Sequence, residues 1–151
     1  MTPAEVFLRL VHGVAAGDYA ALPDLYAEQI DVRHPMAPGG DHPLLSRDAL
    51  REHFSGTGPA VAQTIEFRPD NIRIHQTADP EVIVAEFEYA GVRPADGATF
   101  RVPCVFVLRV RDGLIVESRD YVDHVAMARA RGTLDQLFDS AREPRGPAVA
   151  S

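Results

Sequence analysis

Apolar positions recur every three or four residues at the start of this chain and every second residue over most of its remainder. That pattern predicts helices first and strands after them. Phe7, Leu10, Val11 and Val14 share one helical face. Thr2-Pro3-Ala4-Glu5 supplies a cap, a first-turn proline and a glutamate three residues past the cap, and Gly17 stops the helix. Asp18 is expected to cap a second short helix over 19–27, with Leu22, Leu25 and Tyr26 facing inward. A short strand over 30–34 follows, then a loop over 35–43, whose prolines and paired glycines exclude both helix and central strand. Ser46 caps a third helix through Phe54, and Gly56 and Gly58 are expected to end it.

The remainder alternates as strands over 63–75, 81–92, 99–110 and 114–122, the first bent near Pro69-Asp70. Pro94-Ala95-Asp96-Gly97 and Arg111-Asp112-Gly113 are the turns between the later strands. A C-terminal helix over 123–138, capped by Asp123, is interrupted near Gly132. Helices followed by hairpin-linked strands define an α+β domain over residues 1–142, with helices on one face of an antiparallel sheet. The Pro/Gly/Ala-rich residues 143–151 are expected to form a disordered tail.

At 151 residues the chain is long enough for one well-cored domain. A net charge of -7 with scattered basic residues excludes the phosphate-neutralising stripe of a nucleic-acid binder. No window approaches a membrane span and no secretory leader is evident, so a cytoplasmic, membrane-free protein is expected. The single cysteine, Cys104, lies in an apolar strand and reads as a buried, inert thiol. Six histidines are spread over separate elements without metal-ligand spacing, so neither metal nor cofactor is expected. A nucleophilic elbow and a phosphate-binding glycine loop are also missing from the sequence.

The chemistry concentrates in Ile115-Val116-Glu117-Ser118-Arg119-Asp120-Tyr121-Val122-Asp123. Strict alternation puts Leu114, Val116, Ser118, Asp120 and Val122 on one face. If that face lines an apolar pocket, Asp120 is a carboxyl whose pKa rises toward neutrality, where it can work as acid and base. The competing reading is a structural carboxylate paired with Arg101, Arg119 or a helix N-terminus. Ile83, Ala85, Phe87 and Tyr89 share another face, which places the Tyr89 phenol at a pocket wall or simply in the core. Arg101 shares parity with Pro103, Val105 and Val107, so its guanidinium reaches either a pocket mouth or solvent. The opposite parity, Val102, Cys104, Phe106 and Leu108, forms an apolar stripe expected on the outer sheet face.

The order and spacing of several strings carry a resemblance. They are Ala16-Gly17-Asp18, Asp24-Leu25-Tyr26-Ala27, Val32-Arg33-His34-Pro35, Ser46 through Phe54, and Arg119-Asp120-Tyr121-Val122-Asp123. With them the chain resembles the nuclear transport factor 2-like superfamily, and within it the SnoaL-like polyketide cyclases and ketosteroid isomerases. The resemblance implies a cone: an α+β barrel of curved antiparallel sheet wrapped around three N-terminal helices, with a C-terminal helix and a deep pocket. It also implies a homodimer through the outer sheet face. The positions matching the oxyanion donors of ketosteroid isomerases read Leu10 and Val105, which cannot donate hydrogen bonds, so that mechanism is not implied. Of the epoxide hydrolases' relay only Asp120 survives, the other positions reading Tyr89, Phe87, Val32 and His34. The lone acid/base aspartate of SnoaL-like cyclases matches Asp120.

The expected function is therefore proton-transfer chemistry, such as cyclisation, isomerisation or hydration, on a small apolar carbonyl compound. Asp120, His34 and Tyr89 are the candidate catalytic groups. Arg101, Val32, Phe87, Val105, Ser118 and Phe54 are the candidate substrate contacts. The alternatives are a pocket that binds a small molecule without chemistry, and a scaffold whose pocket is packed shut by Phe54 and Phe87.

Overall fold

The computed structural model describes residues 1–62 and 64–143, without side chains over 56–62, so the expected tail from Pro144 onward and Gln63 lie outside the described residues. Helix α1 (Pro3–Ala16) starts with the reciprocal Thr2–Glu5 capping box and ends at Gly17 in the left-handed conformation. A 3-10 turn, Leu22–Leu25, precedes strand β1 (Tyr26–Arg33). Strand β2 (Leu44–Ser46), helix α2 (Arg47–Ala62), then strands β3 (Glu66–Gln76), β4 (Val82–Arg93), β5 (Ala98–Arg111) and β6 (Leu114–Val122) follow. Helices α3 (His124–Arg131) and α4 (Leu134–Arg142) close the chain. The strands form one curved, unclosed sheet in the order β2-β1-β6-β5-β4-β3.

Several expectations change in detail. The expected second helix is only the 3-10 turn, because Pro23 lacks an amide hydrogen and the chain must be extended at Tyr26 to pair with Ile115. The β1–β6 pairing is parallel, so the sheet is antiparallel except at that seam. Helix α2 runs through Gly56 and Gly58 to Ala62; a glycine weakens a helix by about 1 kcal/mol but does not forbid it. Ser46 caps α2 as expected, its Oγ accepting from the Ala49 amide at 3.0 Å. Strand β2 was hidden by the prolines around it. The bend expected at Pro69-Asp70 is a bulge between Asp70 and Arg73, with Asn71 at φ 52°.

The core fills the concave side of the sheet. Phe7 of α1 meets Phe87 and Phe106 edge-on, with ring centroids 5.3 and 6.3 Å away. Val102, Cys104, Phe106 and Leu108 are buried in this core. The expectation that they form an outer, subunit-pairing stripe is therefore wrong, since these side chains cannot reach a second copy. The cause is a single extra residue. The Asp112-Gly113 turn has both residues at positive φ and pairs Arg111 with Leu114. An uninterrupted ladder from that pair would set Val105 opposite Asp120. A bulge at Val116 instead pairs Arg109 with Glu117, and so Phe106 with Asp120. The same bulge buries Ile115 in place of the expected Leu114 and Val116.

Among the described residues no helix is long and apolar enough to cross a membrane. The β3–β4 ladder is tight at Gly91, where an added Cβ would lie 1.9 Å from the Glu66 carbonyl oxygen. Gly91→Ala must push two backbones apart and is expected to destabilise the fold by about 2 kcal/mol or more. Urea denaturation of the purified variant checks this; an unchanged midpoint would show that the strands do not approach so closely.

Candidate functional site

A cavity of about 550 Å³ opens between the concave face of the sheet, α1, α2 and α3. Residues from α1, α2, α3 and most of the strands line it. Leu10 and Val14 come from α1, Tyr26 and Val32 from β1, Leu50, His53 and Phe54 from α2, Tyr89 from β4, and Asp120 and Val122 from β6. His34 and His42 bracket the loop after β1, and His124, Met127 and Arg131 come from α3. The open volume contradicts the shut-scaffold alternative: Phe54 forms a wall rather than a plug, stacking on Tyr19 at 5.8 Å.

Asp120 is buried, with 8% of its surface exposed. Its Oδ1 accepts a short hydrogen bond from the Ser118 hydroxyl, itself buried two residues earlier on the same face. Burial raises the Asp120 carboxyl to about 7, against the opposing pull of the Ser118 bond. His34 Nε2 faces Asp120 Oδ2 at 3.7 Å. That gap exceeds hydrogen-bond length, and it leaves an atom of a bound molecule able to touch both groups. The Asp41 carboxylate accepts the His34 backbone amide at 2.9 Å and so fixes the loop that presents the ring. Burial lowers the His34 pKa, outweighing the opposing charge of Asp41, so the ring is neutral near pH 7.

Two more imidazoles surround His34. The His53 ring lies 5.9 Å away, centroid to centroid, and His124 is close enough for charge repulsion. Burial lowers both, and each further resists protonation because of His34. The described residues contain no metal-holding group of three or more such ligands. Tyr26 and Tyr89 are buried phenols pushed well above their ordinary range by burial, so both stay protonated and able to donate. Tyr26 is held by Arg47, whose guanidinium donates to the Tyr26 carbonyl at 2.6 and 2.9 Å and ties α2 to β1. The Cys104 thiol is pushed up to about 12, chiefly by burial, and is inert.

The structure thus brings Asp120, His34, Tyr89, Val32 and Phe54 to one cavity, with Ser118 directly behind Asp120. Three expected contacts lie elsewhere. Arg101 is on the convex face, donating to Glu88 at 2.7 Å and Asp70 at 3.1 Å. Val105 lies on that face too, because the Val116 bulge reverses the parity of β5. Phe87 faces inward but is consumed by core packing against Phe7, Phe106 and Tyr89 rather than lining the cavity. Sequence reasoning missed Tyr26, His53, His124 and Arg131. Only the heptad-like spacing of His124, Met127 and Arg131 on one helical face could have signalled any of them.

A family model for the SnoaL-like domain matches residues 7–118. The chain belongs to the SnoaL-like domain family. A PhzA/B-like protein of Pseudomonas aeruginosa, itself uncharacterized, is 25% identical over 135 residues, covering 89% of this chain and 94% of that one. A Bacillus subtilis structure provisionally called an isomerase superposes with a TM-score of 0.73 at 22% identity, covering 87% of this chain and 93% of that chain. IdmH of Streptomyces antibioticus, a candidate polyketide cyclase, gives 0.66 at 21% identity, covering 87% and 99%. These structural likenesses establish the cone fold.

The buried carboxyl has a thermodynamic signature. Between pH 4 and 7 folded Asp120 keeps its proton while the unfolded chain has lost it. The folded state binds the extra proton, so stability falls as pH rises through that window, by about 4 kcal/mol in all. Asp120→Asn removes this loss and keeps an acceptor for Ser118. The variant is expected to be more stable than the wild type at pH 8 by a few kcal/mol, with the difference vanishing at pH 4. Urea midpoints at the two pH values check this, and a constant difference would mean that Asp120 is not desolvated.

Proposed function

We propose that the protein catalyses proton transfer on a small, mostly apolar carbonyl compound, with Asp120 as the base and acid. The observation that carries this reading is the Asp120 carboxyl, raised to about 7 inside a 550 Å³ cavity and opposed by a neutral imidazole at 3.7 Å. A base works best when its pKa lies near the ambient pH, and desolvation supplies that here. In this reading ionised Asp120 takes a proton from the carbon beside the carbonyl. The resulting enolate oxygen is held by a neutral donor, Tyr89 or Tyr26. Asp120 then returns the proton to another atom of the same molecule, which gives isomerisation, or ring closure when the enolate carbon attacks a second carbonyl. His34 relays or orients the proton. The names of cyclases and isomerases among the structural relatives agree with chemistry of this class.

Carbon–hydrogen exchange tests this without the natural substrate. 2-Tetralone in deuterium oxide, followed by proton NMR, is expected to exchange its α-hydrogens faster with the wild-type protein than in buffer. The rate should rise about tenfold per pH unit below 7, as Asp120 ionises, and level off above it. Asp120→Asn is expected to lower the enzymatic rate by about 100-fold or more. Equal exchange by the variant would remove Asp120 from the chemistry. Binding of the ketone without any exchange by the wild type would favour the non-catalytic binding module.

A further inference from the structure

Helix α3 presents His124, Met127 and Arg131 to the cavity as one stripe. His124 stands at the Asp120 end, beside His34. Arg131 comes two turns later, about 10 Å further along the helix axis, near Tyr19. Arg131 is the only lining residue among those described whose side chain carries a full charge at every working pH; Asp120 titrates near neutrality, and the others are apolar, small, phenolic or imidazole.

The guanidinium is poorly provided for. Its Nε is fully buried and has no hydrogen-bond partner among the described residues, and no carboxylate there lies within ion-pair distance of it. On the convex face, by contrast, Arg101, Arg109 and Arg111 each hold carboxylates. Arg131 does not serve Asp120 either: that carboxyl is raised by burial, where an adjacent cation would lower it. Burial disfavours the charged form of Arg131, and a guanidinium does not lose its proton in a protein, so the cost stays in the folded state until an anion meets it.

We propose that Arg131 is an anion subsite that holds a carboxylate on the substrate, at the opposite end of the cavity from the carbonyl handled by Asp120. This rests on the proton-transfer reading for the identity of the carbonyl end, and it narrows the substrate to an elongated, ring-sized carboxylic acid. Planar guanidinium and planar carboxylate pair through two parallel hydrogen bonds, which would offset the desolvation of the charge and fix the orientation of the apolar body between them. A carboxylate placed there is also kept away from ionised Asp120, whose charge would repel it.

The test is a binding measurement, independent of turnover. Naphthalene-2-carboxylate and naphthalene-2-carboxamide have nearly the same shape and differ in charge. They are titrated calorimetrically at pH 6, where the acid probe is ionised and most Asp120 is protonated. The wild type is expected to bind the carboxylate at least tenfold more tightly than the amide. Arg131→Met should bring the two within about twofold while leaving the amide unchanged, and Arg131→Lys should keep part of the preference. Asp120→Asn should retain the full preference, which separates this inference from the assignment of the base. No preference in the wild type, including failure of both probes to bind, overturns the proposal. So does a preference that survives Arg131→Met, which would transfer anion binding to the imidazoles. If Arg131→Met also loses the amide through misfolding, the lysine variant decides, and equal binding of both probes there overturns it.

Discussion

A carboxyl group shut away from water without a cation beside it is the constraint around which this molecule is arranged. Among the described residues Asp120 has one hydrogen bond, from Ser118, and an apolar surround formed by α1, α2 and the concave face of the sheet. Were an arginine beside it, its pKa would fall and it would be a permanent anion. Were it exposed, it would titrate near 4 and be a weak base. Burial alone brings it into the range where gaining and losing a proton cost similar free energy at neutral pH. The neighbouring rings obey the same physics with the opposite sign: desolvation keeps His34, His53 and His124 neutral and the tyrosines protonated. Near pH 7 the cavity's charges are therefore confined to Arg131 and to Asp120, which is poised between its two forms.

Much of this was legible in the sequence. The capping box of α1, the Ser46 and Asp123 caps and the extent of β6 all follow from local chemistry, and the structure reproduces them. Asp120's inward parity was also readable, because Ser118, Asp120 and Val122 lie beyond the bulge and alternate regularly. The faces of β5 were not. Both of its parities are apolar, with Val102, Cys104, Phe106 and Leu108 against Pro103, Val105 and Val107, so hydrophobicity cannot choose between them. The choice falls to register, and register here turns on one extra residue at Val116. That single insertion moved Arg101 and Val105 from the expected pocket to the convex face.

The cavity's polar lining was illegible for a different reason. Tyr26, His53, His124 and Arg131 come from three separate elements, β1, α2 and α3, and meet only once the sheet curves over the helices. Taken singly, each reads as an ordinary core or surface residue. What marks His124 and Arg131 is a deficit, a buried nitrogen without a partner among the described residues, which no pattern of letters reveals. Fold and family give the cone and its opening; the chemistry resides in side chains that the same cone holds differently from one member to another.

The proposed chemistry depends most directly on the ionisation of Asp120 itself. Carbon-13 labelling of the aspartate carboxyls, with the Asp120 signal assigned by its loss in Asp120→Asn, gives its titration midpoint by NMR. A midpoint of about 7 is the predicted result. A midpoint near the ordinary value of about 4 would show a solvated carboxylate and contradict its role as a base tuned by burial.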